Sequence, residues 1–225
     1  MKVLIACEYS GAVRDAFIKQ GHDAMSCDLL PTDVDGPHYQ DSVTDILNNG
    51  WDLMIAHPPC TYLAVSGNRW LYNKDGSRNE DRWANRREAL DFVRLLMDAP
   101  IERIAVENPV SVISSEIRKP DQIIQPWQFG DEAQKTTCLW LKNLPKLKPT
   151  KIVGKGEMFE WTCKKTGRTK RQAQWYMDIL SKAKTKAERQ KLRSKTFQGI
   201  ADAMADQWGR KLCPIHQLPR QLELI

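Results

Sequence analysis

The stretch Trp51-Asp-Leu-Met-Ile-Ala-His-Pro-Pro-Cys60 decides how this chain folds. Leu53 to Ala56 is a short unbroken apolar run, the pattern of a strand buried on both faces. Two prolines then end it, because proline donates nothing to a strand ladder and fixes its own φ. The break falls at the carboxyl end of a strand, where open α/β sheets hold their ligands. It leaves the Cys60 thiol on a backbone stiffened at two successive residues. Alone, Pro-Pro-Cys is a cysteine after a turn; the segments on either side give it a role.

Upstream, residues 2–7 form an apolar strand followed by Glu8-Tyr-Ser-Gly11. Val13, Ala16 and Phe17 then follow helical spacing up to a stop at Gly21. Strand, small-residue turn and helix open a nucleotide-type α/β fold, and Ser10-Gly11 lets a ligand approach the backbone closely. A second strand, 24–28, ends on Asp28, which lies 20 residues beyond Glu8. That is near the spacing at which an acid meets ribose hydroxyls. Asp41 offers a further acidic contact after a proline- and glycine-rich loop, ahead of a short helix ending at Asn48-Asn-Gly50.

Downstream, residues 61–80 form a loop rich in Gly, Asn, Arg and aromatics, long enough to be functional. A helix is predicted over 81–98, with Trp83, Ala89, Leu90, Val93, Leu96 and Met97 toward the core. A strand over 101–106 follows and ends on Glu107-Asn-Pro109. Right-handed crossovers bring successive parallel strand ends to one edge, so Cys60 and Glu107 are expected across one pocket. A thiol nucleophile beside a carboxylic acid, next to a nucleotide crevice, is a chemical constellation. His57 either orients a substrate there or packs at the strand end. The aromatics Trp127, Phe129 and Trp140 read as core and turn residues.

The bulk numbers set limits. A chain of 225 residues suits one sizeable domain, with or without an appendage. Its 41% apolar and 28% charged residues are ordinary for a globular protein, and no run of about 18 apolar residues is present to span a membrane. The N-terminus is too short and too soon acidic for a signal peptide. Six scattered cysteines fit a reducing cytosol, hence a cytoplasmic protein. Cys213 and His216 have metal-like spacing, with Cys163 as a third candidate, but no second ligand pair exists and no metal is expected. The net charge of +6 hides an asymmetry: residues 142–195 hold 17 Lys/Arg against 4 Asp/Glu, and the remainder 17 against 24. A basic block on an acidic body suits a polyanionic partner; the alternative is a solvated charged helix. Within it, residues 158–170 read as a hairpin turning at Thr166-Gly167, and 176–192 as a Lys/Arg-rich helix. No obligate protein partner is evident.

Together these residues resemble the S-adenosylmethionine-dependent DNA cytosine carbon-5 methyltransferases. Pro59-Cys60 matches the family's Pro-Cys motif, and Glu107-Asn108 its Glu-Asn-Val motif with Pro109 replacing the valine. Ala6-Cys-Glu-Tyr-Ser-Gly11 with Phe17 looks like the first motif, which cradles the methionine part of the cofactor. Asp28 and Asp41 sit where the ribose- and adenine-contacting acids fall. Gly199 to Trp208 resembles the last motif, a glycine-led helix returning beside the first. The overall pattern is similar to short, phage-associated members. Besides Pro109, the chain departs from the family in four places. His57 stands where glycine is usual, and Thr61 replaces a glutamine. Gln134-Lys-Thr-Thr-Cys138 lacks the arginines of Gln-x-Arg-x-Arg, leaving Lys135 to supply part of that charge. Residues 142–198 have room for only a fragment of a target-recognition domain.

The resemblance implies an α/β, Rossmann-like class I methyltransferase fold, a mostly parallel sheet flanked by helices with a small basic hairpin/helix insertion. It implies a catalytic domain from 1–141 and 196–225, and 142–195 as a candidate nucleic-acid-binding insertion. S-adenosylmethionine would meet Glu8, Ser10, Gly11, Asp28, Asp41 and Pro58. Cys60 would add to cytosine carbon-6 with Glu107 assisting at the ring, while His57, Asn108, Arg69 and Lys135 face the substrate. DNA, single- or double-stranded, would be the partner; a duplex would require base flipping, with loop 61–80, Arg69 and Trp70 closing over the base. The location would be the cytoplasm, or a host's cytoplasm for a phage protein. Two alternatives stay open: a methyltransferase on free pyrimidine nucleotides, and a catalytically silent nucleic-acid-binding relative.

Overall fold

The structure is a computed structural model that describes residues 1–210. The chain begins β1 (Lys2–Ala6), α1 (Ala12–Lys19), β2 (Asp23–Cys27), β3 (His38–Tyr39), β4 (Leu53–Ala56), α2 (Glu80–Met97) and β5 (Arg103–Asn108). It continues α3 (Ile113–Glu116), β6 (Gln122–Ile124), β7 (Thr137–Lys142), β8 (Met158–Thr162), β9 (Thr169–Ala173), α4 (Gln174–Lys182), α5 (Lys186–Ser194) and α6 (Gln198–Trp208).

Seven strands make one sheet in the order β3-β2-β1-β4-β5-β7-β6, and β8 pairs with β9 in a separate ribbon. The first five strands of that order run parallel; β7 is antiparallel to both β5 and β6. This is a Rossmann-like arrangement, with β1 and β4 adjacent at the point where the strand order reverses.

The strand alternation sorts two cores. Leu4, Ala6, Met54, Ala56, Ile104 and Val106 face Leu90, Val93 and Leu96 of α2. Val3, Ile5, Leu53, Ile55 and Ala105 face Phe17 of α1 and Ile200, Met204 and Trp208 of α6. Central parallel strands are covered on both sides, so β4 is buried throughout and reads as a solid apolar run. Gly199 is the residue that lets α6 come this close, since a Cβ there would overlap the Phe129 carbonyl. Asp131 Oδ2 accepts from the Gly199 N–H at 3.0 Å and holds the start of that helix.

Four elements differ from the sequence expectations. The strand read as 101–106 lies at 103–108, because pairing of Glu107 with Leu139 and Asn108 with Cys138 carries the ladder past the last apolar residue. The single helix read over 176–192 is two, α4 and α5. Ala183 is extended, with ψ 119°, and the Thr185 hydroxyl accepts from the Glu188 N–H at 3.0 Å, starting a new helix. The loop after Asp28 contains β3, paired through Ser26 and His38. Loop 61–80 holds a 3-10 turn, Val65–Leu71, anchored by buried Leu63 and Leu71. The basic segment is not uniform either. Leu147 lies in the α1/α6 core and Trp208 Nε1 donates to the Pro145 carbonyl at 2.9 Å, so the part that stands apart begins near Glu157.

Candidate active site

The register that pairs Ala56 with Val106, carried one residue further, sets His57 beside Glu107 at the carboxyl edge of the sheet. The His57 N–H still donates to the Ala6 carbonyl at 2.9 Å, so strand geometry persists through His57 before Pro58 and Pro59 end it. Cys60 follows at the head of a tight turn, its carbonyl accepting from Leu63 and Ala64 at 3.1 and 2.9 Å. Buried Arg86 secures the next residues by donating to the Tyr62 carbonyl at 2.9 Å and Asn68 Oδ1 at 2.7 Å. Asn108, 1% exposed, donates from Nδ2 to the Pro58 carbonyl at 2.9 Å and ties the two strand ends together.

His57 Nδ1 lies 3.2 Å from Glu107 Oε2. With Nδ1–H donating, His57 Nε2 is left buried without a protein partner, as is Asn108 Oδ1. Unsatisfied buried polar atoms are rare and point to a group that arrives from outside. Burial alone would raise the Glu107 carboxyl; the His57 hydrogen bond and the charges of Lys135 and His57 outweigh it and hold Glu107 below the usual carboxylate range. Protein packed around the exposed Cys60 pushes its thiol up, and the Glu107 charge pushes it further. Arg193 and Lys135 pull it back down. The thiol and the carboxylate thus sense each other: while Glu107 is ionised, Cys60 resists losing its proton.

Around β1 the expected cofactor residues gather at the same edge. Gly11 has φ 75°, the left-handed region, and a Cβ there would meet the Arg14 guanidinium at 2.6 Å. Glu8 is buried, with Oε1 accepting from Val13 N–H at 2.8 Å and Ser10 Oγ at 3.0 Å, and Oε2 from Arg14 N–H at 3.2 Å. The carboxylate therefore occupies the α1 N-terminus, where a pyrophosphate would bind in a dinucleotide fold. Such a site favours a nucleoside without phosphates. Asp28 follows β2 directly and accepts from Leu30 N–H at 2.9 Å; burial pushes its carboxyl up, with the Leu30 N–H and the His38 charge opposing. Asp41 is exposed just beyond β3, and Pro58 is buried under the Asn108 contact.

Several residues at this edge had no signal in their spacing. The end of α5 is strapped across it: Tyr9 OH donates to the Lys191 carbonyl at 2.6 Å and lies 2.7 Å from Ser194 Oγ. Lys191 pairs with Asp33, as does Lys195 at 2.8 Å. Lys135 Nζ donates to the Lys195 carbonyl at 3.1 Å. Arg193 thereby reaches the field of Cys60 from a segment 133 residues away in sequence. Arg69, by contrast, lies on the exposed 3-10 turn with its guanidinium 4.5 Å from the Trp70 ring centroid, and contacts neither Cys60 nor Glu107. No metal-ligand cluster occurs among the described residues. Cys213 and His216 lie outside them. No described helix is long and apolar enough to cross a membrane.

No family model matches the chain, and no curated protein sequence matches it either. Among solved structures it is similar to a protein described as a DNA modification methyltransferase encoded within an E. coli prophage. That likeness has 15% identity over 68% of this chain and 52% of the other, with TM-score 0.45. It is also similar to a Spodoptera frugiperda DNMT2 variant, at 14% identity over 68% and 54%, with TM-score 0.37. The chain spans about half the length of these structures.

Proposed function

We propose that this chain is an S-adenosylmethionine-dependent DNA methyltransferase acting at carbon-5 of cytosine, with Cys60 as nucleophile. The observation that carries the reading is the coupled pair at one sheet edge: Cys60 after β4, and an ionised Glu107 at the end of the adjacent β5. Cytosine carbon-5 is a poor nucleophile until a thiolate adds to carbon-6. When bound, S-adenosylmethionine supplies an electrophilic sulfonium methyl. Its fit rests on the turn at Gly11, the acids at the ends of β2 and β3, and a helix N-terminus already filled by Glu8, which suits a cationic cofactor lacking phosphate.

The proton accounting follows from the charges. The Cys60 thiol must lose a proton, and ring N3 must gain one as electrons move into the ring. Glu107, held ionised in the free protein, takes part as acceptor and donor of that same proton. The Sγ–C6 bond would form as the C5–C6 π pair shifts to C4–C5 and the C4–N3 pair takes the proton at N3. The C4–C5 pair would then accept the methyl as its bond to the cofactor's sulfonium sulfur breaks, leaving a neutral thioether. Loss of the carbon-5 proton to water would return the pair to C5–C6 and expel the Cys60 thiolate, while N3 gives its proton back through Glu107 to re-form the thiol. His57 orients Glu107, and its unpartnered Nε2 faces the incoming group; Asn108 holds the Pro58 turn. Lys135 and Arg193 favour the thiolate. The basic segment from 157 to 194 serves as the nucleic-acid-binding region, giving salt-dependent affinity for DNA.

Mass spectrometry of nucleosides from DNA incubated with protein and labelled cofactor tests the reading. Label is expected on 5-methylcytosine, and Cys60→Ser should reduce it to background while cofactor binding persists. Turnover in Cys60→Ser would sink the covalent mechanism. Label on deoxycytidine nucleotide with none on DNA would move the substrate to the free nucleotide.

A further inference from the structure

We propose that the outer face of the β8–β9 ribbon is a stacking platform on which single-stranded nucleic acid lays unpaired bases over Phe159 and Trp161. This extends the proposed function to a second binding surface, yet it concerns binding alone and is tested without methyl transfer. Side chains alternate across a two-stranded ribbon, so its two faces differ in kind. One face holds Met158 opposite Ala173 and Glu160 opposite Arg171. Ala173 is buried at the ribbon's root, and Glu160 and Arg171 neutralise each other at 2.6 Å. The other face holds Phe159 opposite Gln172 and Trp161 opposite Lys170.

Phe159 and Trp161 are 41% and 38% exposed, with ring centroids 5.8 Å apart and planes inclined by 34°. Both rings belong to no core cluster, so folding does not explain their apolar area. The charge around them selects the partner: Lys164, Lys165 and Arg168 crowd the hairpin tip beside Lys170. Aromatic faces next to cations are what sequence-tolerant single-strand binders use, because every unpaired base offers a π-face while duplex bases are already stacked. The platform is also rooted at the catalytic edge. Gln134 Nε2 contacts Met158 Sδ at 3.3 Å, and Trp175 Nε1 donates to the Gln134 carbonyl at 3.0 Å, one residue before Lys135. The ribbon's inner face is thus joined to the segment that carries Lys135, and the platform lies on the face turned away from that joint.

The test is a titration of the full chain, with and without Cys60→Ser, using labelled oligodeoxythymidylate, an oligoribonucleotide of equal length and a mixed-sequence duplex. Single strands should bind more tightly than duplex. Combining Phe159→Ala with Trp161→Ala should weaken single-strand binding at least about tenfold while leaving its salt dependence unchanged. Trp161→Tyr should retain binding, and Lys164→Ala with Lys165→Ala and Lys170→Ala should flatten the salt dependence. Equal affinity for the deoxy and ribo strands places recognition on the base faces; a preference for one supports stacking with the sugar as a further contact. Wild-type affinity in the double alanine variant, or a wild-type preference for duplex, overturns the proposal. Stacking without methyl transfer to any DNA would remove the proposed function and leave the platform standing.

Discussion

The carboxyl edge of β4 and β5 and the segment running from β8 to α5 are built on opposite principles. At the sheet edge, groups that would react are fixed by buried strands and tied to one another, as Asn108 ties Pro58 and His57 holds Glu107. The ribbon and the helices after it own almost no core: neither α4 nor α5 has a buried residue. Most of its cations, with Phe159 and Trp161, are exposed instead. Rigid burial sets distances between reacting atoms, whereas an exposed basic surface sets affinity for whatever lies on it. The two regions should therefore answer differently to the same kind of mutation.

The largest difference is expected in chemistry. Glu107→Gln keeps the shape of the edge but cannot carry the proton, so methyl transfer should fall about 10²- to 10⁴-fold. An equal loss on removing a ribbon cation would erase the distinction between the regions. Next comes stability, read on one residue type in two settings. Trp208 is fully buried, and Trp208→Ala should cost about 3–5 kcal/mol in chemical denaturation. Trp161→Ala on the ribbon should stay within about 0.5 kcal/mol, the range of ordinary surface changes.

A smaller effect tests the positioning of Glu107. His57→Ala removes a hydrogen bond to a buried charge, which should lower methyl transfer roughly 10- to 100-fold. Its pH signature has a definite sign. The folded-state pKa of Glu107 is depressed, so its stabilisation is complete above the usual carboxylate range and is lost as pH falls through the depressed value. The stability gap between wild type and His57→Ala should therefore be widest near neutrality and close in acid. A gap that widens in acid would show that His57 does not hold the carboxylate.

Much of the sheet edge was legible because it is local. An apolar run, two prolines and a cysteine mark a strand end within ten residues, and Glu107-Asn-Pro repeats the pattern one crossover later. The small-residue turn at Ser10-Gly11 was readable for the same reason, though not its left-handed φ. What the sequence hid is long-range. Nothing in the spacing says that Arg14, fully buried, reaches Ser26, Thr32 and the Val34 and Asp35 carbonyls to lock the loop after β2. Nor does it say that Tyr9 and Asp33 capture the end of α5. The break between α4 and α5 had a signal in Thr185-Lys-Ala-Glu188, a helix-start pattern, but a run of lysines obscured it. Glu107 itself belongs to the ladder because of β7, an antiparallel partner that periodicity within β5 cannot reveal.

The two regions meet at one atom, the Cys60 sulfur, where the smallest predicted effect separates them most finely. Glu107 raises the thiol from a largely enclosed position in the sheet, while Arg193 lowers it from an exposed position at the end of α5. Charges in water are screened by salt within about 10 Å at 0.1 M, and buried ones much less. The pH profile of Cys60 alkylation should therefore move to lower pH in Glu107→Gln and to higher pH in Arg193→Ala. Added salt should push the wild-type profile toward that of Arg193→Ala and leave the Glu107→Gln displacement largely intact. If Arg193→Ala leaves the profile in place at low salt, the strap formed by Tyr9, Asp33 and α5 holds the insertion against the body without tuning the nucleophile.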